Sequence, residues 1–144
     1  MQLEWMILAD AAQVVGGKLY LMGGGWDRIT VNSPFPVQQR LAIAVSVKVP
    51  WNETNQKHTF EVEIISENRE TEELKSLMKM GGQFEIGRPP GTRQGQDQRL
   101  QLAFDVTLGL EAPGRKMVVA KIEGREIGRT EFLVAPGMLP PPRP

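Results

Sequence analysis

Alternation restricts this chain more than any other feature. From residue 100 to 110, Leu100, Leu102, Phe104, Val106, Leu108 and Leu110 are apolar, while the residues between them are polar, charged or small. Leu41, Ile43, Val45, Val47 and Val49 interleave in the same way with Ala42, Ala44, Ser46 and Lys48, and Phe60, Val62 and Ile64 with Glu61 and Glu63. Side chains of a strand point alternately to its two faces, so a period of two gives each segment one apolar face. A helix would scatter the same residues around its circumference. Each such strand must therefore bury one face against another layer.

The N-terminal stretch, residues 6–31, adds punctuation. Apolar runs at 3–9 and 19–22 flank a connection that ends in Gly16-Gly17, which reads as two strands joined by an irregular crossing. Gly23-Gly24-Gly25 then predicts a bend or bulge before a third strand over residues 29–31. Ser33-Pro34-Phe35-Pro36 and Pro50 interrupt pairing, because proline brings no amide to the ladder. Residues 74–80 hold the one open assignment. Leu74, Leu77 and Met78 have helical spacing with Gly81-Gly82 as a stop, yet the all-β surroundings favour an irregular edge strand, with another short strand over 83–86. Turns at Ala112-Pro113-Gly114 and Glu123-Gly124-Arg125 fold the last three strands into a meander.

The sum is roughly eight or nine strands at turn spacings near ten residues, with no convincing long helix. It predicts an all-β, single-domain antiparallel β-sandwich, immunoglobulin-like or of a similar two-sheet architecture, over residues 1–135. Residues 136–144, reading PGMLPPPRP, are expected to form a flexible proline-rich tail.

Composition narrows the functions. Lys and Arg number 17, and so do Asp and Glu, so no net charge is available for bulk attraction to nucleic acid or to an anionic membrane. With no cysteine, there is neither a disulfide nor a thiolate for catalysis or metal binding, and a reducing cytoplasm is the simplest setting. No apolar run approaches the roughly 20 residues of a membrane-spanning helix, and the acidic opening MQLEWMILAD does not resemble an export signal.

Three stretches carry a resemblance: ADAAQVVGGKLYLMGGGWDRI, FEIGRPPG, and the closing VVAKIEGREIGRTEFLV hairpin after Pro113-Gly114. Together they resemble a family of small bacterial proteins of unknown function, over most of the chain. The resemblance implies a compact β-sandwich and a bacterial, intracellular origin, and it transfers no catalytic or binding residue. The Lys- and Met-rich stretch over 72–80 departs from the family pattern.

Candidate chemistry is sparse. Catalysis by acid–base or nucleophilic routes needs positioned partners. His58 is the sole histidine and reads as a strand-end residue, while Asp10 and Asp27 read as loop aspartates that hydrogen-bond nearby amides. Asn52, Glu53 and Asn55 are clustered oxygen donors, but with one charge among them a hard-cation site would be weak, so neither metal nor cofactor is expected. Gly23-Gly24-Gly25 lacks the lysine, hydroxyl and helix of a phosphate loop. Trp26 with Asp27, and Trp51 with Asn52, place aromatics beside polar groups at the edge of apolar runs, and Arg88 opens a Pro-Gly loop suited to projecting from a rigid scaffold. These five residues are the candidate contacts. The expected function is protein–protein contact without catalysis, including contact with a second copy. A small-ligand or carbohydrate-binding module is the alternative, and a hydrolase around Asp10, Asp27 and His58 the third reading.

Overall fold

The computed structural model describes residues 1–68 and 70–137 of the 144-residue chain. Nine strands form two facing sheets. They are β1 (Gln2–Val15), β2 (Lys18–Gly24), β3 (Arg28–Val31), β4 (Val37–Val49), β5 (Lys57–Glu67), β6 (Leu74–Glu85), β7 (Gln98–Leu110), β8 (Gly114–Ile122) and β9 (Arg125–Pro136). One sheet has the order β2-β1-β4-β7 and the other β3-β9-β8-β5-β6. Neighbouring strands are antiparallel except β3, which runs parallel to β9. With β4, β5, β7, β8 and β9 in the positions of strands B, C, E, F and G, the order is that of an immunoglobulin-type sandwich. The only helical element among the described residues is a 3-10 turn, Trp51–Glu53, so no helix is long and apolar enough to cross a membrane.

The alternating strands supply the core as their pattern requires. Leu41, Ile43, Val45, Val47 and Val49 of β4 face Phe60, Val62 and Ile64 of β5 and Val118, Ala120 and Ile122 of β8. Phe104 packs against this core with its ring stacked 5.9 Å from that of Phe60. Burying each such side chain contributes about 1.5–3 kcal/mol, so removing one ring is felt across both sheets.

The N-terminal segment departs from expectation. There is no irregular crossing: β1 runs unbroken through Asp10, Ala11 and Ala12 to Val15, and a two-residue turn at Gly16-Gly17 returns it as β2. Both glycines take positive φ, at 58° and 74°, which a tight hairpin of the right twist demands. β1 stays paired with β4 only as far as Ala9↔Ala42. Beyond that point the hairpin lies over the outer face of its own sheet, where Ala12 and Leu19 pack on Ala42, Ala44 and Ala103. Trp5 belongs to this second, small cluster and not to the main core. The small residues of β4 are thus the floor for a covering hairpin.

The open assignment over 74–80 resolves as an edge strand. Gly81-Gly82 does not stop it; β6 runs through both to Glu85 and absorbs the short strand expected at 83–86. A Cβ at position 81 would lie 2.1 Å from the Phe60 carbonyl oxygen, so glycine there permits close backbone approach. Pro136 closes β9 opposite Val31, and the remaining tail residues, 138–144, lie outside the described residues.

Candidate functional site

One end of the sandwich gathers most of the predicted candidates. The β4–β5 connection carries Trp51, Asn52 and Glu53, and the β6–β7 connection carries Arg88, because both leave the sheets where Lys57 pairs with Glu85 and Val49 with Gln98. Arg88 stacks its guanidinium 3.5 Å from the centre of the Trp51 ring. Its Nε donates to Thr54 Oγ1 at 2.7 Å and its terminal nitrogen to the Trp51 carbonyl at 2.8 Å. The Asn55 amide donates to the Ile86 carbonyl at 2.8 Å, which staples the two connections together. Arg88 is therefore anchored inward, and the Trp51 ring is covered on one face.

His58 is more than a strand end. It is only 8% exposed; Nε2 donates to the Glu53 carbonyl at 2.7 Å, and Nδ1 lies 3.2 Å from Glu123 Oε1. The Thr59 amide donates to the same Glu123 oxygen. The Glu53 carboxylate meanwhile accepts from the Met1 amine at 3.2 Å, and the Asn52 carbonyl accepts from Gln56 Nε2. On the outer sheet face at this end, Arg99 grips Glu4 with bonds of 2.7 and 3.0 Å, and Ser46 Oγ donates to the same carboxylate. The Arg99 bond first, and the Ser46 bond second, hold the Glu4 carboxyl down at about 2. These donors and acceptors are spoken for within the chain, whereas the buried Gln98 Nε2 at the same end has no partner among the described residues.

The other candidates lie elsewhere. Trp26 sits in the β2–β3 crossing, half-buried against the core, edge-on to Phe132 with ring centres 6.0 Å apart. Its indole N–H is buried without a partner among the described residues. Asp27 contributes its backbone carbonyl, which accepts from the Leu133 amide at 2.9 Å. Asp10 is a strand residue of β1 whose carboxylate overlies Gly23, not a loop aspartate. Asp10, Asp27 and His58 thus occupy the covering hairpin, the crossing and the Trp51 end; no hydrogen bond or ion pair among the described residues joins any two of them. No group of three or more His, Asp or Glu side chains among the described residues is arranged to hold a metal.

Two features were not singled out from the sequence. Along β2, Tyr20 and Met22 point away from the sandwich, 57% and 72% exposed, with Val15 of β1 beside them. At the end opposite Trp51, Lys116 of β8 is 5% exposed at the floor of a cleft of about 690 Å³. The signal for Lys116 was present: the register that sends Val118, Ala120 and Ile122 inward sends Lys116 inward too.

The fold and these surfaces define a small immunoglobulin-type sandwich. The chain belongs to the family of unknown function DUF6941, whose model matches residues 4–135. No curated protein matches it. Among solved structures, it is similar to the alkylpurine DNA glycosylase AlkC of Pseudomonas fluorescens bound to DNA containing an abasic site analog. That match has 16% identity, covers 76% of this chain and 28% of that one, and has a TM-score of 0.40. It is also similar to a beta-glucosidase from Listeria innocua in complex with gluconolactone, at 10% identity, covering 94% of this chain and 16% of that one, with a TM-score of 0.50. The chain spans less than a third of either protein, and the second likeness shows a shared fold and nothing further.

Proposed function

We propose that the protein works by protein–protein contact, without catalysis, and that the outer edge of β2 is the contact surface. The observation that carries this reading is the exposed Tyr20–Met22 strip on an unpaired strand edge. Sheet edges invite pairing with another chain, and folded proteins usually blunt them. The other edges here are blunted. β3 has four residues, β6 carries Lys75, Lys79 and a register shift, and β7 presents Arg99 and Asp105. β2 has Lys18 as its sole charge, at one end, and exposes Tyr20 and Met22 on one face, with Leu21 turned to the other. An extended strand from a partner, or β2 of a second copy, would add main-chain bonds along this edge and cover the apolar strip. The reading sets the protein in the cytoplasm, on the support of a cysteine-free chain.

Photo-crosslinking tests it. A benzophenone side chain at position 20 should capture a discrete protein adduct, and Met22→Lys in the same background should remove it. An adduct in the purified protein identifies a second copy; one formed only in cells identifies a different protein. Absence of any adduct from position 20 under both conditions overturns the proposal.

A further inference from the structure

Among the buried charged side chains, Lys116 stands apart. Glu63, on the outer face of the five-stranded sheet, accepts from Ser76 Oγ at 2.8 Å and lies 3.5 Å from Lys79 Nζ and 3.6 Å from Lys121 Nζ. Lys116 faces inward between the sheets, cross-strand from Ser66 on β5 and Phe132 on β9. Its Nζ donates to Ser66 Oγ at 3.1 Å, and no carboxylate among the described residues lies within ion-pair distance of it. An ammonium taken out of water without an anion is costly, so such a group is expected either to be lost or to have a use.

The surroundings indicate which use. The cleft above Lys116 opens between the β5–β6 and β7–β8 connections. Its size is in the range of small-molecule sites. Among the described residues, its other cations are paired: Lys75 lies 3.6 Å from Glu111, and Arg115 3.0 Å from Glu131. Leu77, Pro113 and Leu133 give it apolar wall, and Glu67 and Glu70 stand at its rim. One free ammonium beside one hydroxyl matches the two oxygens of a carboxylate. Carboxylates at the rim, Glu67 and Glu70, disfavour a polyanion such as phosphate, and apolar walls suit a hydrocarbon tail.

We infer that this cleft binds an amphipathic monocarboxylate, its carboxylate held by Lys116 and Ser66 and its apolar part lying against Leu77, Pro113 and Leu133. The site is at the end of the sandwich opposite Trp51 and apart from the β2 edge, so it stands or falls independently of the protein-contact reading.

The test uses the full chain with octanoate as the probe, followed by NMR of lysine labelled with carbon-13 at Cε. The Lys116 signal should move in a saturable, one-to-one manner while the other lysines stay in place. Octanol, which lacks the charge, should leave the Lys116 signal unmoved, and inorganic phosphate should act only weakly. Lys116→Met, which lacks the reporting lysine and is followed by titration calorimetry beside the parent, should reduce octanoate affinity by about tenfold to a hundredfold, the loss expected for a hydrogen bond to a charged group. Should that variant not fold, Ser66→Ala supplies the second reading, with a weaker loss in the same direction. A Lys116 signal that does not respond to millimolar octanoate overturns the proposal, as does unchanged affinity in a folded Lys116→Met. Tighter binding of phosphate than of octanoate overturns the assignment of ligand class.

Discussion

At the Trp51 end, two guanidinium groups, an aromatic ring, a histidine and three carboxylates gather, each bonded to a neighbour within the chain. Arg88 donates to Thr54 and Trp51, His58 contacts Glu53 and Glu123, and Arg99 holds Glu4. At the opposite end a buried ammonium has one hydroxyl and an open cleft. Read by residue type alone, the first end looks like a site and the second like a turn region. Hydrogen-bond accounting reverses that order, because a group whose bonding capacity is used internally has little left for a ligand. Buried polar groups without matching partners are rare, so each one calls for a reason. The Trp51 end is thus a structural clasp on the two long connections, and the buried charge left without an ion-pair partner among the described residues is that of Lys116.

The clasp should therefore fail first under mutation. His58→Ala removes a ring packed 5.4 Å from that of Phe84 and strands the Glu53 carbonyl, which together should cost about 2–4 kcal/mol in denaturant unfolding. A loss below about 1 kcal/mol, the size of surface effects, would show that the clasp is ornamental and would return this end to the list of ligand sites. A smaller loss is expected for Arg88→Lys. Lysine keeps the charge but gives up the planar stack on Trp51 and the two-point donation, so about 1–2 kcal/mol should go, with tryptophan fluorescence reporting the uncovered ring. An Arg88→Lys protein as stable as the parent would mean that charge alone serves there.

Much of this frame was legible beforehand, since β4, β5, β7 and β8 present apolar side chains at every second residue to one shared core. Two stretches resisted for physical reasons. Asp10-Ala11-Ala12-Gln13 lacks apolar contrast because Ala12 is the hairpin's contact with the alanine floor of β4, where a larger side chain would hold the layers apart. Gly81-Gly82 resembles a stop, yet Gly81 is demanded by a backbone neighbour from a different strand. The clasp was hidden for a similar reason. Trp51 and Arg88 were each noticed, but their stacking joins positions 37 residues apart in sequence, which no local pattern encodes. Lys116 was encoded locally, by register, and is overlooked when a strand is read only through its apolar members.

The smallest effect also discriminates best between the two ends. Burial pushes the Lys116 ammonium below its usual value of 10.5. Below its folded-state pKa, Lys116 is charged in both states and the folded protein bears the burial cost. As pH rises through that pKa toward 10.5, the folded state sheds the proton while the unfolded chain keeps it, so the native state gains stability. Lys116→Met, close in volume, avoids the cost at every pH. It should be modestly more stable than the parent near neutrality, and the gap should narrow as pH rises toward 10.5, measured by paired unfolding curves so that the other titrating groups cancel. Octanoate should narrow the gap at neutral pH as well, because a ligand that binds the native parent more tightly than the native variant stabilises the parent more by mass action. A variant less stable than the parent at neutral pH, with a gap insensitive to both pH and octanoate, would show that the Lys116 ammonium is already well accommodated within the fold, and the contrast between the two ends would disappear.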